Sequence, residues 1–428
     1  MSYFVIFYYS ALIAASTVLA YLKWHQWFKF LFTLTLVSFV VGIVGGEGAL
    51  RNIATFFAIL ALAAGISYTF REFLVLIASE NLAKELRTAP LTAAFGMFVI
   101  FTIAIMAIFA PVIAPHGEAE VISGAFAPPD ENMLLGADQL GRDIFSRIIY
   151  GARNTVSLAL MGTILAFVMG ALAGLLAATG GKVGDQVLGR IADVIMSIPS
   201  LIFSLLIISI FSTMIGRVDD FGFYRMFPQG IRPMLLSMTF LMVVGTLVAL
   251  MMVTAIARDA AKWAVGFVIA LGVALVISAG IAQIFNPSEV VLIVVVAIIY
   301  APRVFRLTRA VAGNVVVMDY IEAAKLRGEG NWYLIRREIL PNSTAPLIAE
   351  FGLEFCFVFL LIAGLSFLGL GIQPPTADWG SMVRENATLI SFGDITPLIP
   401  AAAIALLTVA VNFVVDWMLF RSSGLKER

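Results

Sequence analysis

Long uncharged, apolar runs dominate this sequence and limit what the chain can fold into. Of its 428 residues, 61% are hydrophobic and only 13% are charged, whereas a soluble domain is about 45–50% apolar and about 25% charged. A helix needs about 20 mostly apolar residues to cross the hydrocarbon of a bilayer. Eleven such runs occur, near residues 2–22, 29–46, 52–70, 91–114, 154–178, 191–214, 234–256, 263–284, 288–305, 346–371 and 396–419. The sequence therefore predicts an all-α, polytopic membrane protein with about 11 transmembrane helices, and it excludes a water-soluble enzyme.

The distribution of Lys and Arg between these runs predicts the orientation. If the C-terminus is cytoplasmic, 19 of the 27 basic residues fall on the inner side, as the positive-inside rule requires. We therefore expect an external N-terminus and a cytoplasmic C-terminus. Because 27 acidic residues balance the basic ones, no overall field favours nucleic acid as a partner.

Residues that carry out chemistry are scarce. His25, His116 and the single cysteine, Cys356, are too few for a His- or Cys-based metal site. The segment 180–183 lacks both the upstream glycine and the hydroxyl residue of a phosphate-binding loop. The sequence predicts no catalytic residues, no metal and no cofactor bound by this chain.

Two predicted external segments contain ordered polar residues. In 115–153, apolar residues recur at helical spacing from residue 144 on, opposite Arg142, Asp143, Ser146 and Arg147. This pattern predicts an amphipathic helix on the membrane surface, or alternatively a simple helix that re-enters the membrane. In 365–395, two prolines stop a helix and Trp379 is expected to anchor the turn at the interface.

The predicted cytoplasmic segment 303–345 concentrates charge. A charged helix, a stop at Gly328 and a second helix that ends before Pro341 predict a compact hairpin over 319–342. Such an ordered loop favours a binding partner. The alternative is a solvated, positively charged loop.

Several motifs together resemble one family of membrane proteins. The cytoplasmic loop contains Glu-Ala-Ala at 322–324, glycine at 328 and Leu-Pro at 340–341, the spacing found in permease subunits of bacterial ATP-binding-cassette importers. The segments 135–143, 193–200 and 365–375, with Asn412 and Asp416 in the last run, resemble the dipeptide/oligopeptide/nickel branch, and more narrowly its C-type permease. Two positions depart from the pattern: Glu338 stands where isoleucine is usual, and Ile362 where a glutamate is common.

The resemblance implies a type I importer core with added peripheral helices. The core would occupy 91–215 and 288–428. The segment 1–90 would be a three-helix extension, and 216–287 an inserted two-helix segment. Each addition preserves the topology of the core, and neither is expected to line the solute path.

The resemblance also implies a function and partners. The chain would be the inner-membrane permease of an ATP-driven importer that moves peptides or peptide-like solutes into the cytoplasm. Its partners would be a homologous second permease, two ATPase subunits that hold ATP and Mg, an external solute-binding protein and membrane lipid. The residues implied in ATPase coupling are Glu322, Ala323, Ala324, Gly328, Leu340 and Pro341.

Charges inside the apolar runs mark candidate positions along a solute path. Glu350 and Glu354 are four residues apart, on one helix face near the predicted cytoplasmic end of their run. The alternative is that they snorkel to the interface or are capped by Arg336 or Arg337.

Two other functions are weighed against the importer permease. An ion-coupled secondary transporter typically has internal repeats and charges at mid-membrane, and the sequence pattern indicates neither. A non-transporting membrane scaffold would not need an ordered loop over 319–342.

Overall fold

The computed structural model describes residues 2–21, 25–45, 49–180, 182–216 and 284–422, with positions 228, 234, 235 and 281. These residues are mostly helical and contain no strand beyond two isolated bridges, Val121–Arg142 and Ala137–Asp143. The chain divides into two compact units, Met1–Phe98 and Val99–Arg428. The predicted all-α class is confirmed.

The first unit is built around a small aromatic core. Its helices are α1 (Ser2–Tyr21), α2 (His25–Gly45), α3 (Ala49–Ile77), α4 (Glu80–Arg87) and the start of α5 (Leu91–Ile113). The Tyr9 ring lies 5.1 Å from that of Phe39 and 5.5 Å from that of Phe57, and its hydroxyl donates to the Ser38 carbonyl at 3.0 Å. Many other large apolar side chains of this unit point outward, as lipid-facing residues do.

The second unit is organised around one buried helix. After α5 its helices are α6 (Ile144–Thr179), α7 (Lys182–Ser197), α8 (Ser200–Gly216), α9 (Pro287–Val316), α10 (Asp319–Leu326), α11 (Asn331–Phe367), α12 (Trp379–Asn386) and α13 (Leu398–Ser422). Helix α9 packs along α6, where a Cβ at Gly174 would lie 2.7 Å from the Thr308 Cβ. Cβ atoms at Gly162 and Gly170 would likewise lie 3.4 Å from the side chain of Val296 and 2.7 Å from that of Val304, so these glycines allow α6 and α9 to pack closely.

Each predicted span within the described residues, apart from 191–214, coincides with one helix. Among these residues, six helices have the length and apolarity to cross a membrane. Helices α7 and α8 form a bent pair that makes a seventh span if the pair crosses as one, and α1 and α2 contain shorter apolar helical stretches. The predicted spans 234–256 and 263–284 lie almost entirely outside the described residues.

The predicted span 191–214 is not one continuous helix. Helix α7 ends at Ser197, α8 begins at Ser200, and the chain bends by 88° between them. Pro199 explains the break, because it lacks a backbone N–H and disfavours the helical conformation at Ile198.

The prediction of a surface helix after residue 142 is wrong. The residues from Ile144 on form the first turns of α6. The polar face of this segment is buried, because the side chains of Arg142 and Arg147 are only 3% and 1% exposed. The guanidinium of Arg142 pairs with Asp138 at 2.7 Å and with Glu385 at 2.8 Å; that of Arg147 pairs with the same two carboxylates at 3.3 and 3.4 Å. A polar helix face is exposed only where no other element covers it. Here α12 covers it, through Glu385.

Trp379 is buried and does not anchor an interface as predicted. Its Nε1 donates to the Ile148 carbonyl at 2.9 Å. The neighbouring carboxyl of Asp378 accepts hydrogen bonds from Thr155 Oγ1 and from the backbone N–H of Ser381, both at 2.8 Å. Complete burial raises the pKa of Asp378, and these hydrogen bonds oppose that rise. This segment therefore locks α12 onto α6.

The second helix of the predicted hairpin does not end before Pro341. Helix α11 runs on through this proline to Phe367, with a π-helical turn at Leu334–Ile339. A proline removes an N–H donor and crowds the preceding turn. The wider π turn directly before Pro341 accommodates it without ending the helix.

Candidate functional site

The segment that follows α9 forms a short helix with a sharp stop. Helix α10 ends at Leu326, and Gly328 takes a left-handed conformation with φ +83°. The Gly328 N–H donates to the Lys325 carbonyl at 2.9 Å, and the Glu329 N–H donates to the Ala324 carbonyl at 3.2 Å. The bend expected at Gly328 is confirmed, and it turns the chain into the start of α11.

The inner face of α10 is anchored in the protein. Ile321 and Ala324, three residues apart and so on one helix face, are fully buried. They share an apolar cluster with residues of α6, α9 and α11, namely Leu175, Leu176, Ala312, Leu334, Ile335 and Ile339. Ala324, one of the residues implied in coupling, is therefore an internal packing residue and is not on the surface of this chain.

The outer face of α10 is exposed and partly apolar. Glu322 and Ala323 are exposed, and they lie beside Val317, Tyr320 and Leu326, whose exposed fractions are 80%, 42% and 83%. We call these five residues the coupling face. They lie at 317–326, between α9 and α11 and outside the helices that are long and apolar enough to cross a membrane. Exposed apolar residues in such a segment are typical of a protein interaction site.

The remaining residues implied in coupling lie at the start of α11. Leu340 and Pro341 are exposed. The neighbouring Asn342 amide donates to the Tyr320 hydroxyl at 3.3 Å and to the Glu338 carbonyl at 2.6 Å. The structure thus joins the two halves of the motif through Asn342 and Tyr320.

The two predicted path-lining carboxylates lie near the middle of α11. Glu350 and Glu354 are 19 and 23 residues after Asn331, where this helix begins. Glu354 is fully buried, and its Oε1 lies 3.5 Å from Nε of Arg303 on α9. Glu354 therefore pairs with Arg303 and not with Arg336 or Arg337, which the alternative interpretation named. Glu350 is half-buried one turn away.

Two further ion pairs fix α7 against α9. Arg306 pairs with Asp193, and Arg309 pairs with Asp185. The predicted cytoplasmic segment 303–345 included these two arginines and Arg303. Helical periodicity that continues through residues 304–316 is the signal that would have placed them in α9.

Comparison with known proteins identifies the family. The family described as binding-protein-dependent transport system inner membrane component matches residues 166–422. The chain belongs to this family. It is therefore a multi-pass inner-membrane permease, and such a system implies a solute-binding protein and ATPase subunits as partners.

Several curated permeases are similar over most of their length. The di/tripeptide transport system permease protein of Pseudomonas aeruginosa is 26% identical over 75% of this chain and 84% of its own. The probable D,D-dipeptide transport system permease protein of Escherichia coli is 27% identical over 78% and 88%. The glutathione transport system permease protein of Pectobacterium atrosepticum is 26% identical over 76% and 83%. The resemblance to the peptide branch is confirmed, and nothing in these relatives favours an ion-coupled secondary transporter.

Proposed function

We propose that this chain is the permease subunit of an ATP-driven importer that moves small peptides or peptide-like solutes into the cytoplasm. The coupling face carries the proposal, because an ordered helix with exposed apolar residues outside the long apolar helices needs a partner. The similar permeases are named for dipeptide, tripeptide and glutathione transport, which supports a solute of this class.

The proposed partners follow from the same loop. Two ATPase subunits hold ATP and Mg, and α10 of this chain seats on one of them through Glu322, Ala323 and Leu326. A homologous second permease completes the path, and an external solute-binding protein delivers the solute. The N-terminus is external and the C-terminus is cytoplasmic in this arrangement.

The buried side of α10 supports a mechanism for coupling. Ile321 and Ala324 pack against residues of α6, α9 and α11 in one cluster. Because a close-packed cluster moves as a body, a displacement of α10 by ATPase closure carries the ends of three long helices with it. Such a displacement opens the path alternately to the two sides.

A charge reversal on the coupling face tests the proposal. We expect Glu322→Lys to abolish ATP-dependent uptake of alanyl-alanine by the complete assembly in vesicles and to reduce co-purification of the ATPase subunits. Opposed like charges at a contact cost several kcal/mol. Insertion should be normal, because Glu322 is exposed and outside the long apolar helices.

Glu80→Lys is the matched control. Glu80 is also an exposed acidic residue of a short helix, and it pairs only with Lys84 in the part of the chain that the structure describes. Its reversal should leave uptake unchanged. Wild-type uptake by the Glu322→Lys assembly would contradict the proposal.

A further inference from the structure

Arg303 lies in the middle of a long apolar helix, which is an unusual place for an exposed charge. It is sixteen residues along α9 from Pro287, which is about 24 Å at about 1.5 Å per residue. Glu354, its partner, is thirteen residues from Phe367 at the end of α11, or about 20 Å. Because residue 303 lies opposite 354 and residue 300 opposite 357, where the Tyr300 hydroxyl donates to the Phe357 carbonyl at 3.1 Å, the two helices are antiparallel here. Counted from these two helix ends, both charges lie at less than the roughly 30 Å thickness of the hydrocarbon, on helices long and apolar enough to cross a membrane.

The two partners differ in exposure. The side chain of Glu354 is 1% exposed, whereas that of Arg303 is 45% exposed. The Arg303 guanidinium lies 4.7 Å from the ring centre of Phe357 and 5.4 Å from that of Tyr300. Its Nε faces Glu354, and its two terminal nitrogens have no hydrogen-bond partner among the described residues.

This geometry is that of a prepared oxyanion site. A half-exposed guanidinium inside a membrane helix is costly against lipid, so we expect its open face to meet water or a polar ligand. The two rings and the Glu354 carboxylate hold the guanidinium in place, and the free pair of N–H donors matches a carboxylate in a bidentate arrangement.

We propose that Arg303 binds the carboxylate of the solute during its passage, and that Glu354 is a positioning residue that acts through Arg303. This inference rests on the proposed function, because it takes the solute to be peptide-like. In this proposal the group that contacts the solute directly is the cation Arg303, in place of Glu350 and Glu354. A cation complements the C-terminal carboxylate of a small peptide. A lipid phosphate offers similar chemistry, and the experiments below distinguish the two.

The first experiment measures whether the surface beside Arg303 is accessible to water. Phe357→Cys is made in a Cys356→Ala background of the complete assembly, because Phe357 is exposed next to the guanidinium. We expect a charged, membrane-impermeant thiol reagent to modify position 357, and alanyl-alanine to protect it better than alanyl-alanine amide. Val41→Cys, an exposed apolar position of α2, is the control and should resist modification. Failure to modify position 357 would mean that lipid or protein covers this face, and would overturn the proposal.

The second experiment separates recognition from structure. The double variant Arg303→Gln with Glu354→Gln removes both charges, so the buried carboxylate of Glu354 is not left without its partner. Uptake of alanyl-alanine relative to its amide should fall about tenfold or more, as expected for a lost hydrogen bond between charged groups, through a higher KM for the free acid. Arg306→Gln, on the same helix and paired with Asp193 at the surface, should keep the wild-type ratio.

The outcomes distinguish the competing explanations. An unchanged ratio, or an equal loss for both peptides, would overturn the role of Arg303. If the double variant instead loses the response to phosphatidylglycerol in the vesicles while the peptide ratio stays constant, the ligand is a lipid phosphate and the proposal is wrong. Failure of the proposed function itself looks different, because the wild-type assembly would then take up neither peptide with ATP.

Discussion

Four buried charges tie the first turns of α6 to α12. Arg142 and Arg147 each contact both Asp138 and Glu385, so two cations and two anions alternate and the net charge is zero. Burial of any one of these groups alone would be very unfavourable. The arrangement is therefore stable only as a set, and loss of one member leaves the others without compensation.

Glu385→Gln is expected to lower the free energy of unfolding by about 3 kcal/mol or more, because it leaves a surplus of buried positive charge. Thermal unfolding of the purified protein in detergent measures the effect. Glu80→Gln, which removes an exposed pair with Lys84, should change the midpoint little. Equal midpoints for the two variants would show that the buried set contributes no more than a surface pair.

Residues whose role is local were predictable from the sequence, whereas residues whose partner is distant along the chain were not. The stop at Gly328 depends on backbone geometry within one turn, and the motif spacing was enough to predict it. Arg142 was predicted to face solvent, because its partner Glu385 lies 243 positions away. Helical periodicity gives the direction of a side chain but not what covers it.

At the scale of elements, two prolines in apolar segments have opposite effects. Pro199 separates α7 from α8 with a bend of 88°, whereas Pro341 lies inside α11 behind a π turn. The π turn contains Leu334, Ile335 and Ile339, which are buried in the cluster under α10. Tertiary packing holds this turn in a helical path, and a sequence pattern alone does not contain that information.

Gly328→Val tests the coupling element. Its positive φ costs about 1–2 kcal/mol for a residue with a Cβ and more for a β-branched one, so the stop of α10 should distort. We expect membrane insertion to be retained and ATP-dependent uptake to be lost, measured with the complete assembly in vesicles. Gly330→Val is the control, because Gly330 has φ −81° and open space around its Cβ position. Equal uptake by both variants would show that the bend at residue 328 is unimportant for coupling.

At the scale of the whole molecule, composition and family motifs were sufficient for the fold class and for the order of the helices within the described residues. Strong apolar runs give helices wherever the backbone must satisfy its own hydrogen bonds in lipid. The domain limits proposed from sequence, 1–90, 91–215, 216–287 and 288–428, remain predictions. The structure divides the chain into units at residues 98 and 99, within α5, and most of 216–287 lies outside the described residues.

The topology provides the last prediction. Eleven spans, with α7 and α8 counted together as one crossing, place the two termini on opposite sides of the membrane. Ser2→Cys should react with a membrane-impermeant thiol reagent added outside, whereas Glu427→Cys should react only after the membrane is permeabilised. Native Cys356 is buried and should not react. Reaction of both positions from the same side would require an even number of crossings. The bent pair at Pro199 would then be the first candidate for a re-entrant segment, because its 88° bend suits a turn within the membrane as well as a broken span.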